Sequence, residues 1–389
     1  MTMNTDHPTS PPPNRQRRRW LTHSAAWAAS PLLLDIRPAR ASGTVTDLAG
    51  RQVGLPASVK RVVLGEGRLL YTLALLEDSA DPLARVAGWQ GDMSRFDPQT
   101  WAQYQARYPH IARVPTIGTT TEASVSPEKV LSLAPDLAVF SLSGHGPGRR
   151  NPLVEQLQAI GVPVVFIDFR EHPLTNTVPS LRVLGRALQR ETQAERFIAF
   201  YEAQMRRVTE VADAIAMTDR PRTLLDARAG DVGGVLTAGR GGLGELVELA
   251  GGRNLGHGLI PGALGEASLE AVLAAQPEVY VATGYQAPGA KALGVRLGAQ
   301  VSSAEARDSL RAVTQRRPEI AALPAVRQGR VHGAWHHFYN TPYHVVLAQA
   351  LAKWLHPQRF AALDPDATWR DMHRQFLGVQ ATGTYWVSA

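Results

Sequence analysis

The chain has 389 residues, of which 44% are apolar and 19% are charged, a composition that suits folded domains and excludes a disordered chain. It contains no cysteine, which excludes disulfides, thiolate metal sites, iron–sulfur clusters and cysteine nucleophiles. Its formal net charge of +7 makes a nucleic-acid partner the first hypothesis to test.

The first 41 residues are arranged like an export signal. A basic segment that includes Arg17 and Arg18 precedes a weakly apolar stretch. That stretch is about ten residues long, whereas a membrane span needs roughly 20. A small-x-small pattern that suits signal peptidase ends at Ala41. The order predicts a cleaved signal peptide over residues 1–41, and the paired arginines favour the twin-arginine route. The alternative is a basic, disordered tail.

Most of the basic excess belongs to this signal. Without residues 1–41 the chain has 35 basic and 32 acidic residues, a formal charge of +3. No Lys/Arg-rich run remains, so we expect no nucleic-acid partner. No second apolar segment reaches the length of a membrane span. The missing cysteine also removes the residue to which a bacterial lipoprotein attaches its lipid, so we expect no lipid anchor.

Strands and helices alternate through residues 42–172. Residues 45–56 predict a short β-hairpin, and a helix begins after Ser126. Short apolar runs predict strands at 61–65, 84–89, 114–118, 137–140 and 161–167. This alternation indicates an α/β lobe with a mostly parallel sheet.

A long helical pattern follows in residues 173–217. Apolar residues keep helical spacing from Val178 to Ala216. One continuous helix of that length would span roughly 55 Å at 1.5 Å per residue. The pattern therefore predicts a single long helix that connects two lobes. The alternative is two shorter helices with a break near Gly185.

The alternation resumes in residues 218–389, and part of it repeats the first half. The pattern S-x-E-x-V-L-x-x-x-P-[DE] begins at Ser126 and again at Ser268. Serine is a common N-cap, glutamate suits the first helical turn, and proline marks the connection to the next strand. Two copies on either side of one long helical segment predict two similar α/β lobes.

In this order the segments resemble the periplasmic binding proteins of ABC importers for iron–siderophores, haem and cobalamin. The resemblance depends on the hairpin Asp47-x-x-Gly50-Arg51, the two S-x-E segments, and residues 246–254, 324–331 and 354–360. It implies two α/β lobes joined by a single long helix, with the ligand held between them. It also implies a small-molecule metal chelate and an inner-membrane ABC permease as partners. We expect a monomer that is free in the periplasm.

The resemblance assigns two glutamates to docking. In this family an exposed glutamate on each lobe contacts arginines of the permease, and the matching positions are Glu128 and Glu270. Both residues also suit the N-termini of their helices, where a carboxylate stabilises by about 0.3–1 kcal/mol.

The ligand cleft should lie beyond the carboxyl ends of the strands. The segment 335–344 is the densest in aromatic and histidine side chains, and arginines suit carboxylate or catecholate oxygens. We predict no protein metal site, although His336 or Tyr339 can coordinate the iron if the ligand is haem. The predicted ligand-binding residues are Arg68, Trp89, Arg149, Arg228, Arg240, Tyr285, Trp335, His336 and Tyr339.

The function implied is capture of an iron complex, a ferric siderophore first, with no cofactor. Haem, cobalamin and another metal chelate stay open as ligands. An exported hydrolase on an α/β scaffold is the alternative of a different class. The sequence contains no Gly-x-Ser-x-Gly elbow, His-Glu-x-x-His motif or dinucleotide fingerprint that would favour an enzyme.

Overall fold

The computed structural model describes most of the chain after the signal segment. Arg17, Arg18 and Arg149 lie outside the described residues, and Ala41 is the first residue of the first strand. The described ranges are 41–77, 81–121, 124–145, 151–286 and 293–389. None of the helices in these ranges combines the length and the apolar character that crossing a membrane requires.

The first lobe is a parallel sheet with helices on both faces, preceded by a hairpin of β1 (Ala41–Thr46) and β2 (Gln52–Pro56). Its sheet strands are β3 (Val62–Leu64), β4 (Val86–Gln90), β5 (Thr116–Gly118), β6 (Leu137–Ser141) and β7 (Val164–Ile167). They lie in the order β5-β4-β3-β6-β7, and every pair is parallel. The helices are α1 (Leu70–Leu76), α2 (Asp92–Phe96), α3 (Pro98–Arg107), α4 (Pro127–Ser132), α5 (Leu142–His145) and α6 (Pro152–Ala159).

Two helices then connect the lobes, α7 (Pro173–Ala187) and α8 (Glu191–Ala212). The expected single long helix is therefore corrected to two helices, as in the alternative interpretation, and the break lies at residues 188–190, close to Gly185. Gln189 turns the chain with a left-handed φ of 56°. The 22 residues of α8 span about 33 Å. This helix packs against α1 of the first lobe and α15 (His344–Leu355) of the second.

The second lobe repeats this architecture. Its main sheet has the order β10-β8-β12-β13-β14, parallel except for the edge strand β14. The strands are β8 (Arg222–Asp226), β9 (Val235–Ala238), β10 (Arg253–Asn254), β11 (Leu264–Ala267), β12 (Val279–Gly284), β13 (Val331–Trp335) and β14 (Trp386–Ser388). Strands β9 and β11 form a separate antiparallel pair. The remaining helices are α9 (Leu243–Leu249), α10 (Gly256–Leu259), α11 (Leu269–Ala275), α12 (Ser303–Gln315), α13 (Pro318–Ala321), α14 (Pro324–Arg327) and α16 (Pro365–Phe376).

The sequence repeat has the same structural role in both lobes. The hydroxyl of Ser126 caps α4 at 3.2 Å, and that of Ser268 caps α11 at 3.1 Å. In each copy the acidic residue that follows the proline of the pattern accepts backbone hydrogen bonds at the start of the neighbouring strand. Asp136 accepts hydrogen bonds from the backbone before β3, and Glu278 accepts one from Arg222 at the start of β8. The prediction of two similar α/β lobes with mostly parallel sheets is confirmed.

The hairpin motif fastens the start of the described chain to the first sheet. Asp47 Oδ2 and Arg51 Nη2 are 2.6 Å apart, and the guanidinium donates to the Val164 carbonyl at 2.7 Å and lies 4.4 Å from the Phe166 ring centroid. Gly50 makes the turn with a φ of 75°, a conformation that glycine adopts without strain. The motif is thus a structural clamp onto β7.

Candidate functional site

A cleft of about 710 Å³ lies where the carboxyl ends of the two sheets face each other, as expected for open α/β sheets. After each strand of the first sheet comes at least one residue that lines the cleft. These are Arg68 after β3, Phe96 after β4, Thr120 after β5, Ser143 after β6, and Arg170 with Glu171 after β7. The second lobe contributes Leu225, Ala227, Arg228, Ala238, Gly242, Leu243, Ala263, Leu264, Tyr285, His336, His337 and Tyr339.

Arg68 is anchored by a carboxylate from the next strand–helix connection. Asp92, which is fully buried, accepts from the Gly67 backbone N–H at 2.5 Å and from Arg68 Nε at 2.6 Å. Gly67 allows this close approach, since a Cβ there would lie 2.4 Å from the Gln90 carbonyl oxygen. Burial disfavours the charge on Arg68. Tyr339, Asp92 and Glu66 outweigh that effect, so the pKa of Arg68 is raised and its charge is retained.

A second arginine lies beside the first, around a shared tyrosine. Arg170 donates to Glu66 Oε2 at 2.9 Å and to Ser143 Oγ at 3.0 Å, and its guanidinium carbon is 4.9 Å from the Tyr339 ring centroid. Arg68 donates to the Tyr339 hydroxyl at 2.6 Å. Because Tyr339 belongs to the second lobe, these contacts join the two sides of the cleft through cationic groups.

Two histidines after β13 are neutral. Burial is the main cause that lowers the pKa of His336, and the charges of nearby arginines add to it. Burial likewise lowers the pKa of His337 to about 3. His336 Nδ1 lies 2.8 Å from Thr283 Oγ1, and His337 Nε2 lies 3.0 Å from the Phe96 carbonyl oxygen. A neutral imidazole can coordinate a metal ion without first losing a proton.

Arg228 and Tyr285 complete the second-lobe side. Arg228 has a left-handed φ of 51°, and its backbone N–H donates to Thr283 Oγ1 at 3.0 Å. Tyr285 packs edge-on against Phe96 with ring centroids 6.0 Å apart, so the aromatic layer crosses the cleft. The cleft thus presents three guanidiniums, two neutral imidazoles and two tyrosines. This set can bind oxygen-rich anions through arginine and flat groups through the rings.

The lobes also contact each other directly at Glu171 and Gly242, which line the cleft. The Gly242 N–H donates to the Glu171 carbonyl at 3.0 Å. Glu245 of α9 accepts from the Leu174 N–H at 3.2 Å and lies 3.0 Å from His172 Nδ1. The hydrogen bond to Glu245 raises the pKa of His172. The polar contacts in this region tie the start of α7 to the start of α9.

The structure brings five predicted ligand residues to the cleft, and ligand binding by them stays a prediction. They are Arg68, Arg228, Tyr285, His336 and Tyr339. Two tryptophans that the sequence placed in the cleft are buried in the core instead. Trp89 packs on Trp101 with ring centroids 5.3 Å apart, and Trp335 packs on Tyr71 at 5.4 Å. Arg240 is exposed and does not line the cleft.

Sequence reasoning missed Arg170. It lies three residues after β7 and lines the cleft, so the strand-end rule that found Arg68 would also have found it. Glu66 and Asp92 were missed as well, because nothing in the sequence shows that they pair with these arginines. Phe96 carries no local signal beyond lying close after a strand, whereas His337 lies in the segment 335–344 that the sequence singles out for its aromatic and histidine side chains.

The two predicted docking glutamates are exposed in the first turns of α4 and α11. The backbone N–H of Glu128 and the Ser126 hydroxyl lower the pKa of Glu128, so it is ionised at neutral pH. The Ser126 hydroxyl lies 2.9 Å from Glu128 Oε2. Both residues can present a negative charge to a partner.

Within the residues that the structure describes, no three His, Cys, Asp or Glu side chains gather as a metal site.

Comparison with known proteins agrees with the fold described above. A family model described as "Periplasmic binding protein" matches residues 84–334. No curated protein sequence matches the chain. A TroA-like periplasmic binding protein FepB from Veillonella parvula is 24% identical, with a TM-score of 0.79 over 89% of this chain and 99% of that one.

Two other solved structures share the fold at lower similarity. The molybdate-bound periplasmic binding protein MolA of Haemophilus influenzae is 18% identical, with a TM-score of 0.67 over 88% of this chain and 99% of that one. An ABC-type Fe3+-hydroxamate transport system protein from Saccharomonospora viridis is 20% identical, with a TM-score of 0.56 over 81% of this chain and 99% of that one. At these identities the likeness concerns the fold.

Proposed function

The chain belongs to the periplasmic binding protein family, and on that premise we propose that it captures a ferric siderophore between its lobes and delivers it to an inner-membrane permease. Proteins of this family are substrate-binding components of ABC importers and not enzymes. The observation that carries the proposal is the cluster of Arg68, Arg170 and Arg228 on one cleft that also holds neutral His336 and Tyr339.

Haem is a second candidate because of one feature of the cleft. His336 is neutral, and its Nε2 has no hydrogen-bond partner among the described residues, while Nδ1 is 2.8 Å from Thr283 Oγ1. An imidazole that is oriented through one nitrogen leaves the other for a metal ion. The arginines would then pair with carboxylates at the edge of the ligand. Titration distinguishes the two candidates.

The test uses the mature chain, residues 42–389, and four probes: a ferric tris-catecholate, a ferric tris-hydroxamate, haemin and cobalamin. A true ligand should raise the melting temperature, because stabilisation grows with ligand concentration over Kd. Arg170→Ala should weaken binding at least tenfold, since it removes a charged group that faces the ligand. Arg182→Ala is the matched control, because Arg182 is exposed on α7 and pairs with Glu195. Failure of both ferric chelates to bind would overturn the siderophore proposal.

Docking through Glu128 and Glu270 belongs to the same proposal. A double reversal, Glu128→Lys with Glu270→Lys, should abolish uptake in cells and leave ligand affinity in solution unchanged. Glu210→Lys is the control, because Glu210 is an exposed glutamate on α8. Loss of ligand affinity in the double variant, or uptake at the wild-type rate, would remove these residues from the docking surface.

The proposal places the protein in the periplasm as a monomer without a lipid anchor, exported through a cleaved signal. Twin-arginine export predicts that Arg17→Lys with Arg18→Lys keeps the precursor in the cytoplasm. N-terminal sequencing of the periplasmic form should find cleavage within a few residues of Ala41. Secretion of the double lysine variant at the wild-type level would rule out this route.

A further inference from the structure

The cleft has chemically different sides. The first-lobe side carries Arg68 and Arg170 with the hydroxyls of Thr120 and Ser143. The part of the second lobe around β8, β9 and β11 presents apolar side chains, which run from Leu225 and Leu243 inside to Leu264 at the rim. A ligand that touches the first-lobe side and this apolar part meets charge on one of its faces and hydrocarbon on the other, while Arg228 adds a further cation on the second-lobe side.

The backbone of this apolar side offers few hydrogen bonds, because its polar groups already bond to each other. The Gly239 N–H donates to the Ala263 carbonyl at 3.1 Å, and the Arg240 N–H donates to the Gly262 carbonyl at 3.2 Å. The β9–β11 pairing then continues from Leu264 opposite Ala238. Apolar contact is therefore the main interaction that this strip provides.

Leu264 is the informative member of the strip. It is 57% exposed, although it lines the same cleft as Ala263 and Leu243. A single exposed leucine needs no explanation by itself. Here the exposed side chain extends a buried apolar surface to the mouth of a binding cleft, where a ligand can cover it.

We propose that the ligand is an amphiphilic chelate, with its oxygen-rich side on Arg68 and Arg170 and an apolar substituent along the strip from Leu225 to Leu264. The inference rests on the proposed function, because it names the kind of chelate that the same cleft takes. Each buried methylene contributes about 0.8 kcal/mol, which is roughly a fourfold gain in affinity. A chelate that differs only in the length of its hydrocarbon tail is therefore a direct probe.

The experiment compares ferric N-acetyl-desferrioxamine with ferric N-hexanoyl-desferrioxamine by isothermal titration calorimetry on the mature chain. The two complexes have the same charge and the same iron donors, and the second carries four more methylenes. We expect the hexanoyl complex to bind at least tenfold more tightly. Equal affinities would overturn the amphiphilic assignment and leave the proposed function standing. Failure of both complexes to bind would also overturn it, and the other chelates of the panel then decide the proposed function.

A variant locates the effect. Leu264→Ser should weaken the hexanoyl complex at least fivefold more than the acetyl complex, because only the longer tail reaches the strip. Ile160→Ser is the matched control, since Ile160 has the same 57% exposure and follows α6 away from the cleft. An equal loss for both complexes, or a loss in the Ile160 variant, would refute the assignment of the tail to this strip.

Discussion

The buried pair of Asp92 and Arg68 allows a quantitative test of how the cleft is built. Asp92→Asn removes the negative charge while keeping the shape of the side chain. The amide can accept from the Gly67 N–H only by turning its NH₂ toward Arg68 Nε, which is also a donor. The variant therefore leaves Arg68 charged but without its nearest counter-charge. Glu66 Oε2 is the remaining carboxylate oxygen, 3.5 Å from Arg68 Nη2.

The magnitude follows from the burial of the pair. The Asp92 side chain is fully buried and that of Arg68 is 10% exposed. Breaking a buried pair by removing one partner costs about 3–5 kcal/mol. For roughly 350 folded residues the unfolding entropy is about 0.7 kcal/mol per kelvin, so the melting temperature should fall by about 4–7 °C. Scanning calorimetry of the mature chain at pH 7 measures this shift.

Two further variants separate the charge effect from damage to the fold. Asp371→Asn is the control, because Asp371 pairs with exposed Arg374, and it should melt within about 1 °C of wild type. Adding Arg68→Met to Asp92→Asn should recover part of the loss, since it removes the uncompensated cation. The reasoning fails if Asp92→Asn melts within 1 °C of wild type, or if Arg68→Met costs as much in the variant background as it does alone.

Three other outcomes are expected. Burial lowers the pKa of His332 to about 3. Between pH 5.5 and 4 the free energy of unfolding of wild type should therefore fall about 1.4 kcal/mol per pH unit more steeply than that of His332→Gln, as denaturant titrations would show; parallel slopes would contradict this. The raised pKa of His172 beside Glu245 gives about 0.5 kcal/mol of stability below pH 6.5 that is lost as the pH rises past that pKa. His172→Gln should thus differ from wild type at pH 5.5 and match it at pH 8.5, and a difference that grows with pH would contradict the sign. Gly67→Ala should melt several degrees lower, because its Cβ would meet the Gln90 carbonyl, and an unchanged melting temperature would show that the loop can move.

The two-lobe fold was predictable because its signals are local. Ser126 and Ser268 act as N-caps where the pattern placed them, and Gly251 ends α9 with a φ of 84°. The break between α7 and α8 had no such signal, because a glutamine, Gln189, makes the left-handed turn. Gly185 looked like a breaker but lies inside α7, where a Cβ would come within 2.6 Å of Ala194 on α8. It serves close helix packing instead.

The candidate site was predictable only as far as the strand-end rule reaches. That rule predicts which loops lie at the cleft, but it does not predict which side chains of a loop point into it. The central strands of both sheets are buried on both faces, so apolar alternation does not show which side chains face the cleft. Trp89 and Trp335 lie within β4 and β13 and point into packing, whereas His336 lies just beyond its strand and faces the cleft. The charge partners of the arginines come from other loops, and pairing over such distances leaves no local pattern.

In the proposed function, the anchoring of Arg68 connects capture of the ligand with its release. A free arginine loses roughly 0.5–1.5 kcal/mol of rotamer freedom when a ligand immobilises it, and Asp92 and Tyr339 already hold this one in place. A ligand that binds Arg68 therefore does not have to immobilise this side chain, because the fold has already ordered it. Asp92 belongs to the first lobe and Tyr339 to the second, so drawing the lobes apart breaks one of the bonds that orient the guanidinium. Under the proposed function, a transport partner that separates the lobes would therefore weaken the contact between Arg68 and the ligand.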